Sequence, residues 1–182
     1  MTANDRALHW TRYRAAQEPL PTTNLTWPLR GAGLVWLGVD GAPVAEPLPA
    51  CGPDEILVRV DAVSLCSSDA KMIRLGDRYP LFYGRDLQKE PTRLGHEVAL
   101  TVVAVGARWQ HQFARGQRLG LQPDVFNRGR RTCFGVLIPG GLAHYVALGP
   151  DVLDGDAGSY VFPVPDSFGY ADIALLEPWA CV

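Results

Sequence analysis

Along the chain, apolar residues gather in short runs broken by glycine, proline and small polar residues rather than in one long helical stripe. The best-formed run is Glu55-Ile56-Leu57-Val58-Arg59-Val60-Asp61-Ala62-Val63, where Ile56, Val58 and Val60 alternate against Leu57, Arg59 and Asp61. A period of two turns one set toward a core and the other away, so a strand is predicted there. Residues 98–105 are an almost unbroken β-favouring stretch ended by Gly106. Leu119-Gly120-Leu121 and Leu142-Ala143-His144-Tyr145-Val146 read as further short strands. So does Leu34-Val35-Trp36-Leu37, the first apolar run after the texture changes at Gly33.

Helical signals are few. Ser67, Ser68 and Asp69 suit a helix start, and residues 70–75 form a short helix closed by Gly76. Pro165-Asp166-Ser167 leads into an apolar helical stretch over 170–176 that meets no stop signal before Val182. Residues 1–32 contain Pro21, Pro28 and Gly31 with no sustained periodicity, and are expected to be an extended lead-in. Residues 33–182 then form the domain proper, a mainly β barrel with short helices. The 19 glycines and 15 prolines fit many short strands joined by tight turns better than a helical bundle.

Composition narrows the function classes more than it names one. The 182 residues are 47% hydrophobic and 20% charged, enough for one core, with a net charge of −2. No basic field argues for nucleic acid or an anionic membrane. The apolar runs are strand-sized, and the polar start Met1-Thr2-Ala3-Asn4-Asp5-Arg6 leads into no apolar signal core. The four cysteines, at 51, 66, 133 and 181, are therefore expected to be thiols or metal ligands of a cytoplasmic protein.

Three segments carry candidate chemistry: Cys66-Ser67-Ser68-Asp69 after a strand, Gly95-His96-Glu97 opening the next long strand, and Glu177-Pro178-Trp179-Ala180-Cys181 at the end of the chain. Singly, each has an ordinary reading as a core thiol, a hydrogen-bonded histidine or a surface carboxylate. Together they offer the Cys, His and carboxylate donors that a catalytic zinc takes while keeping one position open.

Their order and wording resemble those of the medium-chain, zinc-dependent alcohol and polyol dehydrogenases. The likeness runs through Cys-x-Ser-Asp at 66–69, Gly-His-Glu at 95–97 and Gly-x-Arg at 116–118. It continues through Gly-Gly-x-Ala-x-Tyr-Val at 140–146 and Glu-Pro at 177–178. Glu177 in place of a third-ligand cysteine, and the long spacer between Cys66 and His96, resemble the sorbitol dehydrogenase and sugar-phosphate reductase branches. The resemblance implies a GroES-like β-barrel with Cys66, His96 and Glu177 as zinc ligands. It also implies Glu97 beside the metal, Ser68 starting a proton relay and Asp69 orienting the histidine. The implied reaction moves a hydride between a small alcohol or carbonyl substrate and NAD or NADP, because zinc has no redox chemistry of its own.

The departures are equally specific. Leu100 stands where the family has a glycine, and Lys71 where many relatives have a relay histidine. The region of the four structural-zinc cysteines holds Cys133 alone, so one catalytic zinc and no structural zinc are expected. Cys181, four residues after Glu177, is a rival third ligand. The loop arginines Arg128, Arg130 and Arg131 could meet a phosphate, or could be solvated. No Gly-x-Gly-x-x-Gly follows a strand, so the Rossmann domain is expected to be missing from this chain. Cofactor-linked activity would then need that half, for instance as a complementary Rossmann-domain chain. A non-catalytic GroES-like binding or assembly module is the competing expectation.

Overall fold

The structure, a computed structural model, describes residues 3–182. It begins with α1 (Ala3–Arg14), where the sequence reading expects extended chain. This helix has no apolar stripe, and it docks instead through aromatic rings and hydrogen bonds. Thr23–Thr26 (β1) and Pro28–Leu29 (β2) follow, then Val44–Pro47 (β3) and the long Ile56–Ser64 (β4). The helix Ser67–Leu75 (α2) leads to Thr92–Arg93 (β5), Glu97–Val105 (β6) and Arg118–Leu121 (β7). A small hairpin joins Phe126–Asn127 (β8) to Arg130–Arg131 (β9), and Tyr145–Leu148 (β10) precedes the single turn Pro150–Leu153 (α3). Val161–Pro163 (β11), Tyr170–Ala174 (α4) and Leu176–Ala180 (α5) complete the described chain.

Five strands form one antiparallel sheet in the order β10-β4-β6-β7-β11, and three two-stranded ribbons (β1-β3, β2-β5 and β8-β9) fold around it. The long pair β4-β6 sets the register, with Val60 opposite Leu100 and Ser64 opposite Glu97. Asp61 is an extra residue between the Val60↔Leu100 and Ala62↔Ala99 pairs, a bulge that bends the strand. The expected alternation holds as far as the bulge: Ile56 and Val58 join the main core with Leu100, Val102, Leu119 and Leu148. Leu100, the departure from the family glycine, is fully buried there. A second core lies under α2, where Met72 meets Leu29, Phe82, Leu87 and Leu94.

Two sequence expectations need correction besides α1. Residues 34–36 form a 3-10 turn, not a strand, and Leu34 and Val35 are strongly exposed. The Gly33 N–H instead bonds the Ile73 carbonyl of α2. The expected helix over 170–176 is two short helices meeting at Leu175. Pro178 explains the break: it has no N–H for the Ala174 carbonyl and is tolerated only in the first turn of the new helix. Gly106, by contrast, is required by close packing, since a Cβ there would lie 2.2 Å from the Gly52 carbonyl oxygen.

The outer face of β4 is covered by the end of α1. Arg59 and Asp61 form an ion pair at 2.7 Å, with the Asp61 side chain fully buried. Tyr13 donates its hydroxyl to Asp61 (2.8 Å), and its ring lies 3.4 Å below the Arg59 guanidinium carbon. Arg59 Nη1 donates to the Tyr13 carbonyl, and the Thr101 hydroxyl donates to Asp61 Oδ2. Burial and Asp61 together hold the Tyr13 hydroxyl well above the usual tyrosine range, so it stays a donor. Removing one partner of such a pair strands the other charge. Asp61→Ala is expected to lower stability by about 3–5 kcal/mol in urea unfolding. Leu100→Ala is expected to cost about 2–5 kcal/mol by opening a cavity.

Candidate metal and substrate site

The register of β4 against β6 brings the first two sequence candidates together. Strand β4 ends at Ser64, opposite Glu97, so the residues just beyond them, Cys66 and His96, emerge at the same end of the sheet. Cys66 is the extended residue before α2, and its N–H donates to Asp69 Oδ2 at 2.9 Å. Asp69 Oδ1 accepts from the Gly95 N–H (3.2 Å) and lies 3.5 Å from His96 Nδ1. One buried carboxylate thus fastens the helix start, the strand start and the imidazole. Gly95 makes this possible: its φ is +84°, and a Cβ would lie 2.8 Å from Val63 Cγ2.

With Nδ1 turned to Asp69, Nε2 points toward the other donors. Ser68 Oγ lies 3.3 Å from Nε2, and Glu97 Oε1 lies 4.0 Å from it. Among the described residues, Cys66, His96 and Glu97 form the compact group able to hold a cation, their ligand atoms all within 4.8 Å of one another. Burial would lower the affinity of His96 for its proton, but Asp69 and then Cys66 outweigh it and push the pKa up to about 9. Asp69 is also raised by burial, yet His96 and the N–H groups of Cys66 and Gly95 hold it below the usual carboxylate value. The hydroxyl and N–H of Ser68 hold the Cys66 thiol low, with help from His96. Without a cation, a proton on His96 balances this negatively charged pocket. The donor set of thiolate, imidazole and carboxylate fits zinc.

Cys66, Ser68 and His96 line a cleft of about 420 Å³. Met72, Leu121, Phe134 and Val136 supply apolar wall, and Leu176, Glu177, Ala180 and Cys181 of the C-terminal segment line another side. Glu177 therefore shares the cleft with Cys66 and His96 but lies outside their compact group. Cys181 donates its thiol to Glu177 Oε1 at 3.4 Å, and that contact raises the thiol above its ordinary value. Helix α4 positions this segment by packing Ile173 and Ala174 against Ala99 of β6. Lys71 is exposed on α2, as are His9, His111 and His144 elsewhere.

Sequence reasoning missed one wall. It leaves Arg131 and Cys133 in a basic loop, whereas the structure turns both into the cleft with Gln122 and Asp124. The pairing of Asp124 with Arg131 spans a hairpin whose course no local pattern discloses. Its tip is clasped by Asp156, which accepts the N–H groups of Arg128 and Gly129 at 2.7 Å each.

The antiparallel sheet thus carries a Cys, His and carboxylate group at one end. Residues 52–153 match the alcohol dehydrogenase GroES-like domain, and the chain belongs to that family. L-sorbose 1-phosphate reductase of Klebsiella pneumoniae is 34% identical over 137 residues, covering 74% of this chain and 32% of that protein. Sorbitol dehydrogenase of Gallus gallus is 32% identical over 141 residues, covering 73% of this chain and 38% of its own length. The chain thus spans between about a third and somewhat over two fifths of the length of the curated relatives it matches. The structure of acetophenone reductase from Geotrichum candidum in complex with NAD superimposes with a TM-score of 0.63 at 21% identity. That match covers 88% of this chain and 45% of the reductase, a likeness of fold. No helix among the described residues is long and apolar enough to cross a membrane.

Metal uptake must displace the His96 proton, which fixes the pH dependence. The apparent zinc affinity of the chain is expected to rise with pH up to about 9, where His96 gives up its proton, and then level off. Asp69→Asn should move the plateau to lower pH, because the imidazole loses the carboxylate that holds its proton. It should also weaken binding about 10–100-fold at the plateau, where histidine orientation is lost. Competition with a chromophoric chelator across the pH range reads both effects.

Proposed function

We propose that this chain is the zinc-binding catalytic portion of an NAD(P)-linked alcohol or polyol dehydrogenase, with residues 33–182 as its catalytic domain. The observation that carries the reading is the convergence of Cys66, His96 and Glu97 within 4.8 Å, with Cys66 and His96 lining a substrate-sized cleft and Ser68 on the imidazole. Cys66, His96 and Glu177 would hold the zinc, with Glu97 beside it. When bound, zinc would supply Lewis acidity that favours the ionised form of an alcohol or polarises a carbonyl.

The chain's own residues do the rest. Asp69 orients His96 through Nδ1 and leaves Nε2 free to serve as ligand. Ser68 Oγ, beside Nε2, is placed to take the proton of a substrate hydroxyl and pass it outward. The apolar walls at Met72, Leu121 and Phe134 exclude water around the carbon that loses hydride. Cys181 donates its thiol to Glu177 Oε1, which leaves the carboxylate as the acceptor of the pair. The nicotinamide nucleotide, NAD or NADP, is assigned to a dinucleotide-binding domain outside these 182 residues, as part of the same polypeptide or as a partner chain.

Zinc content by elemental analysis tests this directly. Wild type should carry about one zinc per chain, and Cys66→Ala and His96→Ala should carry little. Glu177→Ala should weaken binding by more than about tenfold, and Cys181→Ala should change it little. A folded wild-type chain that takes up no zinc would favour the non-catalytic GroES-like module instead.

A further inference from the structure

The wall of the cleft that the hairpin β8-β9 supplies is built unlike the others. Asp124 and Arg131 face each other across it, with Arg131 Nε and Nη2 donating to the same oxygen, Asp124 Oδ1, at 2.9 and 2.5 Å. The Cys133 thiol also donates to Oδ1, at 3.3 Å. Three donors converge on one oxygen, and Oδ2 accepts none of them. Gln122 lines the same wall, with its Oε1 turned to the Asp124 N–H and its amide NH2 left available. The backbone holding the pair is fixed at both ends: Asp156 clasps residues 128–129, and the Cys133 N–H bonds the Val125 carbonyl.

We propose that Asp124 and Arg131, aided by Gln122, read the hydroxyl groups of a neutral polyol and select it over a phosphorylated one. The inference rests on the dehydrogenase reading of the cleft. A sugar alcohol's hydroxyls each need one acceptor and one donor, which a carboxylate, a guanidinium and a carboxamide provide together. A phosphate needs donors only. Among the described residues, Arg131 is the one Lys or Arg lining the cleft, and its charge is already committed to Asp124. A phosphate bound there would have to draw Arg131 from Asp124, leaving a carboxylate without its partner.

The test uses the 182-residue chain loaded with zinc, titrated with D-sorbitol and separately with D-sorbitol 6-phosphate, and followed by amide shifts in NMR spectra. Wild type is expected to bind sorbitol at the cleft at least about tenfold more tightly than the phosphate. Asp124→Asn, which removes the charge that occupies Arg131, should invert that order. Arg131→Gln should weaken sorbitol about tenfold without creating phosphate binding, and it serves as the second variant if Asp124→Asn fails to fold. Equal or tighter phosphate binding by wild type, no sorbitol shift at the cleft, or an unchanged preference in Asp124→Asn each overturns the proposal. Zinc content is read on the same samples. Retained zinc with the wrong preference defeats this inference alone, whereas a chain that never takes up zinc defeats the dehydrogenase reading beneath it.

Discussion

The Asp69 carboxylate is the constraint on which the site depends. It is almost wholly buried, and a buried charge persists only when its surroundings satisfy it. Here the N–H groups of Cys66 and Gly95 and the His96 imidazole do so. These partners come from two segments that the sequence keeps about thirty residues apart. Satisfying one oxygen pair therefore pins the start of α2 to the start of β6. The geometry of Cys66, Ser68 and His96 follows from that single fastening, and the glycine before His96 is what lets the backbone come close enough.

The two ends of the chain are also joined on the far side of the sheet. Trp10 and Tyr13 of α1 stack on each other, and both meet Tyr170 of α4 edge-on. The Arg118 guanidinium lies over the Tyr170 ring, and Arg14 and Arg118 both donate to the Asp166 carbonyl. Helix α4 in turn carries α5, and with it Glu177, toward the cleft. The segment before residue 33 is thus more than a leader in front of the domain. Its aromatic residues help hold the helix pair that supplies one wall of the site, while the Arg59–Asp61 pair beneath them is kept from water.

The two sides of the cleft are held differently. On the β4-β6 side, sheet register and Asp69 leave little freedom. On the other, the hairpin β8-β9 brings Arg131 to the cleft wall without joining the main sheet. Loops of this kind can change their chemistry while the frame stays constant. Leu100 marks a different sort of departure. It fills core volume against Val60 and Leu119, and changes packing behind the site rather than the donors within it.

Much of this was legible in the order of residues. The alternation at 56–60, the β-favouring run at 98–105, and the Ser-Ser-Asp helix start are local patterns whose cause is local, and each appears where expected. Cys66, His96 and Glu97 could be picked out because their chemistry and the wording around them are carried on contiguous residues. Tertiary structure alone decided the rest. Helix α1 has no apolar stripe to announce it, since its affinity for the sheet lies in Tyr13 and Trp10 meeting partners far along the chain. Residues 34–36 have the composition of a strand but find no neighbouring edge, and the bonds of Gly33 and Arg30 close them into a turn. Arg131 entered the cleft only when Asp124 and Asp156 fixed the hairpin. Sequence determines which groups are available and which short segments are stiff; the distances that turn separate donors into a site arise when long-range pairing brings them together.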